Sequence, residues 1–192
     1  HLVKSLAQIK IDVAATGWPW DIDHPNDERA LLNGCRPDIE AAKRIKEFFH
    51  DMLQVPGPLG GLIQFDLIEW WYRDVLAHII GWKRADGRRR YDKGFVTTGK
   101  KSGKSTVLSG LPIYMMIADN EKQAECYAAA VDRDQATIIF QKTAQMVKES
   151  PELDERRGGC LKRIESQKRI IHKASGSWYE ALSSDADSTE GK

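Results

Sequence analysis

Between Asp38 and Leu53 apolar residues return every three or four positions, at Ile39, Ala42, Ile45, Phe48, Phe49 and Met52, with acidic residues at the start of the run. That spacing stacks them on one face of a helix and predicts an amphipathic helix over 38–53. The stretch before it, residues 1–37, has weak periodicity and is punctuated by Trp18-Pro19-Trp20, Pro25 and Gly34. After it, Pro56-Gly57-Pro58-Leu59-Gly60-Gly61 is the strongest breaker in the chain. It is the expected boundary between an N-terminal helical segment, residues 1–60, and a core of residues 61–192. A second helix is predicted from about Leu67 to Gly81, with a basic loop from Lys83 to Lys93 behind it.

The second half alternates between the two periods. A short apolar strand signal at Phe95-Val96 runs into a glycine-containing loop, and a helix-length apolar segment, Val107 to Ala118, follows. Pro112 is expected to bend that helix, because it removes the hydrogen bond to Leu108. Glu125 to Val131 reads as a strand, and Asp132 to Lys148 as a helix with Ala136, Ile139, Phe140, Ala144 and Val147 on one side, ended by Pro151. Short strands are predicted at Cys160–Ile164, Arg169–His172 and Trp178–Leu182. This order is that of an α/β protein with a parallel sheet flanked by helices, in which ligands sit at the carboxyl ends of strands.

Composition narrows the class. A chain of 192 residues with 41% hydrophobic content can bury one core with a small appendage. Lys+Arg 29 against Asp+Glu 28, a formal net charge of +1, gives no global pull toward nucleic acid. Cys35, Cys126 and Cys160 are too widely spaced for a disulfide framework or a cysteine zinc site, and a reducing cytoplasm fits them. No apolar run approaches the ~20 residues that cross a bilayer, so no membrane is expected. The chain opens on His1 and stops in the polar sequence Ser188 to Lys192, and is expected to be a piece of something longer.

Candidate chemistry centres on Thr98-Gly99-Lys100-Lys101-Ser102-Gly103-Lys104-Ser105-Thr106. In a phosphate-binding loop, glycines let backbone amides turn toward an anion, the next helix offers its positive end, and a lysine reaches the outer phosphates. Lys104 is that lysine, and the Ser105 hydroxyl is placed to ligate Mg²⁺. The pattern G-x-x-x-x-G-K-[ST] is met except that its first position is Thr98, with the glycine displaced to Gly99.

Several further words accompany this loop in order. They are Phe65 to Trp71, Ile80-Gly81-Trp82, Arg88 to Tyr91, Tyr114 to Asp119, and Tyr127 to Ala136 with its Asp132-Arg133-Asp134-Gln135. Together they resemble the ATPase part of a tailed-bacteriophage terminase large subunit, over roughly residues 30–192. The resemblance implies a P-loop NTPase-type fold, ATP and Mg²⁺ as cofactors, and a motor that threads double-stranded DNA into a procapsid from the host cytoplasm. It implies as partners the portal protein, the small terminase subunit and further copies in a ring, and a C-terminal nuclease in the whole protein. The family's loop, similar to Arg-Lys-Asn-Gly-Lys-Ser, aligns on Lys100 to Ser105. Lys104 then cradles the β and γ phosphates, and Lys100 takes the place of an arginine that stabilises the transferring phosphoryl group. Lysine keeps the charge and loses the planar fork. An aromatic followed by an adenine-reading glutamine aligns on Trp70-Trp71. An indole has a single N–H and cannot both donate to and accept from a base, and core packing explains the pair equally.

Hydrolysis also needs an acidic pair at the end of a later strand. Asp66 precedes the loop, and Asp119 should be the tail of the loop's own helix, so neither fits. The resemblance places the pair after Ala181 to Asp185, which leaves the sheet incomplete at the C-terminus. The 192-residue chain is therefore expected to bind nucleotide weakly and to turn it over poorly. Arg88-Arg89-Arg90 could meet DNA phosphates or stay solvated. His24, His50, His78 and His172 share no ligand spacing, and Asp185 and Asp187 read as loop carboxylates. Two other classes stay open: another P-loop enzyme such as a helicase or small-molecule kinase, and a non-catalytic assembly module.

Overall fold

Short polar side chains start the N-terminal helices in the computed structural model, which describes residues 4–119, 121–130 and 133–183. The Ser5 hydroxyl accepts from the Gln8 amide at 3.3 Å and opens α1 (Leu6–Ala15). His24 accepts from the Asn26 amide ahead of α2 (Pro25–Leu32), whose first position is Pro25. The Asp38 carboxylate accepts from the Ala41 amide at 3.1 Å at the head of α3 (Ile39–Met52), the helix predicted over 38–53. Further on come α4 (Ala77–Gly81), α5 (Lys104–Ile117) and α6 (Arg133–Glu149). Strands are β1 (Arg36–Pro37), β2 (Gln54–Pro56), β3 (Leu62–Gln64), β4 (Trp82–Lys83), β5 (Glu125–Ala130), β6 (Leu161–Ile164), β7 (Arg169–His172) and β8 (Ser177–Ser183).

The chain divides into two units, one of His1–Lys46 with Leu67–Thr97 and one of Glu47–Asp66 with Thr98–Lys192. In the first, Trp18, Leu31, Ile45, Trp71, Leu76, Ile80 and Trp82 are buried. The Trp18 ring meets Trp20 edge-on at 4.7 Å and Trp82 at 6.2 Å. The helix predicted over 67–81 is wound as a π-helix over Trp71–Leu76 before it becomes α4. That winding has no signature in residue spacing. The basic run is divided as well. Arg90 turns inward to Asp27 at 2.5 Å and the Asn26 carbonyl at 3.0 Å, and lies over the Trp82 and Tyr91 rings. Arg88 stays 81% exposed, beside Asp86.

The second unit holds a four-stranded sheet in the order β5-β8-β7-β6. β5 and β8 run parallel, in register from Glu125↔Trp178 to Ala130↔Ser183. The rest corrects the expectation of a parallel sheet, because β8–β7 and β7–β6 are antiparallel. Short turns join those strands, one ending at Lys168 with φ 49° and one at Gly176 with φ 75°, and short turns allow only antiparallel pairing. The parallel pair instead has α6 in its crossover, and α5 and α6 both pack against β5 and β8. Gly57 to Gly61 form the turn of the β2–β3 hairpin, closed by the Pro56↔Leu62 pair, with Gly60 and Gly61 left-handed.

The strand expected at Phe95-Val96 does not form. Residues 93–99 carry no regular structure, and Phe95 is 95% exposed. A strand exists through its ladder, and among the described residues no strand pairs with this segment. The other strands fall close to their predicted limits, apart from Val131, which lies outside the described residues together with Asp132.

Candidate functional site

Two left-handed residues shape the chain ahead of α5. Lys101 has φ 65° and Gly103 has φ 78°. Glycine adopts this conformation freely, whereas for lysine it costs on the order of 1–2 kcal/mol. The Thr98 and Ser102 hydroxyls meet at 2.6 Å across the turn, a clasp that favours the bent backbone between them. Strain held in this way gathers where a backbone is shaped for a ligand.

Gly103 is also the N-cap of α5, and as a glycine it brings no side chain to cap the first amides of the helix. The Thr106 and Val107 amides return to the Gly103 carbonyl at 2.9 and 3.0 Å. The amides of Lys104 and Ser105, one step earlier, have no intrahelical acceptor, and the helix dipole adds partial positive charge beside them. An anion satisfies both at once.

A cavity of about 520 Å³ opens here, lined by residues 98–106 and by Lys142 of α6. Its size suits a small-molecule site. Lys100, Lys101, Lys104 and Lys142 face it, and among the described residues no acidic side chain lines it. The structure thus brings together every sequence-predicted loop residue from Thr98 to Thr106. Trp71 lies in the first unit, 1% exposed, with its ring tilted against that of Trp70 at 4.6 Å. Lys142 carries no readable signal in the sequence, because a lysine one turn beyond Ile139 means nothing until the side of α6 that faces α5 is known.

The residues fit a magnesium ion at the loop. Ser105 is exposed on the cavity, and among the described residues nothing bonds its hydroxyl, while its carbonyl accepts from the Ser109 hydroxyl at 2.7 Å. Among the described residues no three His, Cys, Asp or Glu side chains gather as ligands. One hydroxyl with phosphate oxygens and water is a set magnesium accepts. Asp119 stands just past the end of α5. Asp185 and Asp187 lie outside the described residues.

The class follows from the fold. The chain is a mixed α/β protein similar to the crystal structure of the bacteriophage HK97 large terminase, with a TM-score of 0.63 at 21% identity. That likeness covers 78% of this chain and 29% of the HK97 protein, so the chain spans under a third of that relative's length. Residues 70–192 match the family described as terminase large subunit, ATPase domain, and the chain belongs to that family. Among curated proteins nothing matches it.

Proposed function

We propose that the chain is the nucleotide-binding part of a viral DNA-packaging motor, and that it holds Mg·ATP on the loop from Thr98 to Thr106. The observation that carries this reading is the loop itself: a left-handed Gly103 at the head of α5 with no side chain to cap it, and a lysine-lined cavity in front of the amides of Lys104 and Ser105. Lys104 binds the β and γ phosphates as a point charge, and the loop amides orient the chain of phosphates. Ser105 is the protein's ligand for magnesium, which supplies charge neutralisation on the phosphate oxygens when bound. Lys100, on the same cavity, offers positive charge to the transferring phosphoryl group, without the two-point grip of an arginine.

Family membership supports the wider reading. In the whole large subunit, ATP hydrolysis drives double-stranded DNA into a procapsid, the motor works in the host cytoplasm as a ring on the portal protein with the small terminase subunit as partner, and a nuclease cuts the DNA. The resemblance aligns Trp71 with a base-reading position, but so covered a ring serves packing in its own unit.

Calorimetric titration of the chain with Mg·ATP tests the loop. Binding is expected, and Lys104→Ala should abolish it while the thermal midpoint without nucleotide stays within about 2 °C, since Lys104 is exposed. Equal affinity in the two proteins would refute the loop's role.

A further inference from the structure

The loop supplies three of the lysines on its cavity, and the fourth comes from a different element. Lys142 sits on α6, one turn beyond Ile139. Ile139 lines a neighbouring cavity of about 450 Å³ that contains Lys104 and Ser105, and Lys142 lines the loop cavity itself. Residues three apart share a helix face, so two separate cavities place the 139/142 face of α6 beside the start of α5. The adjoining side is anchored by Phe140, Thr143 and Val147, all buried, which fixes where the Lys142 stem begins. Lys4, Lys10, Lys43 and Lys173 each have a carboxylate partner. Lys142 has none among the described residues.

We infer that Lys142 is a specificity-determining cation for the terminal phosphate of the bound nucleotide, and this rests on the nucleotide reading above. The amides and Lys104 approach the polyphosphate from the loop side. A lysine arriving from α6 meets oxygens that the loop leaves open, and the terminal phosphate has the most of them and the most charge. A flexible ammonium suits that contact, since it needs charge and reach and no fixed fork. The consequence is discrimination: removing Lys142 weakens a triphosphate more than a diphosphate.

The test is titration of the full chain with Mg·ATP and with Mg·ADP, in the unaltered protein, Lys142→Gln, Lys142→Arg and Lys104→Ala. In Lys142→Gln the ATP affinity should fall about tenfold, the usual size of one charge-assisted hydrogen bond, with ADP affinity changed by less than about twofold. Lys142→Arg should restore most of the ATP affinity, and the thermal midpoint of the nucleotide-free protein should not move in either variant. Equal loss for ATP and ADP, or no loss in Lys142→Gln where Lys104→Ala abolishes binding, overturns the inference and leaves the loop reading standing. Failure of the unaltered chain to bind Mg·ATP overturns both.

Discussion

At the scale of single residues, backbone conformation and burial carry the account. Gly103 and Lys104 were legible because a glycine-lysine-serine word after a strand signal has a mechanism attached to it. The left-handed turn at Lys101 was not, since no residue type there calls for it. His78 illustrates burial acting on charge. It is half-buried, near the Trp18 ring at 5.9 Å and the Trp20 ring at 6.1 Å. Burial holds its pKa below the ordinary 6.5, and the nearby carboxylates of Asp27 and Asp74 oppose this without reversing it. As pH falls through about 6.5 the unfolded chain takes up the proton first, so the native state loses ground until the folded value is also passed. The urea midpoint should therefore be lower near pH 5.5 than near pH 7.5, and His78→Gln should reduce the difference. A difference undiminished in that variant would assign the pH dependence to other groups.

At the scale of elements, the predicted helix over 38–53 and the strand at Arg169–His172 emerged almost unchanged, because each has a clear period and a clear stop. Helix α1 falls within the expected N-terminal helical segment, but its limits are not legible in the sequence for a physical reason. Ile9 and Val13 are buried one turn apart, while Ile11 between them is 61% exposed, so the apolar pattern does not resolve into a face. Packing between elements makes sharper statements than period alone. A Cβ added at Gly110 of α5 would lie 2.8 Å from both Leu53 and Phe49, and both of those side chains are fully buried. Alanine would gain about 1 kcal/mol of helix propensity, but overpacking costs about 1–3 kcal/mol. Gly110→Ala should be net destabilising in urea denaturation, and a stabilised protein would show that the core gives way there. The Asp154–Arg163 pair, 3.1 Å apart with both side chains 5% exposed, also makes a strong case. Asp154→Ala leaves the guanidinium buried with, among the described residues, only the Glu165 carboxylate at 3.0 Å, and should cost about 3–5 kcal/mol by the same measurement.

At the scale of the whole molecule, the α/β character and the family were legible from the order of several short words along the chain. The mixed direction of the sheet was not, because alternation of strand and helix implies parallel pairing throughout while β6, β7 and β8 are joined by short turns. The strand expected ahead of the loop shows the converse limit: Phe95 and Val96 have the right residues, and pairing is a property of neighbours. The proposed function depends on one local feature, the hold of the amides at the start of α5 on a polyphosphate. Hydrogen exchange of the backbone over residues 100–106, with and without saturating Mg·ATP, tests it most directly. The account predicts strong slowing centred on Ser102 to Ser105, absent in Lys104→Ala, and exchange that is unchanged there in the presence of bound nucleotide would contradict it.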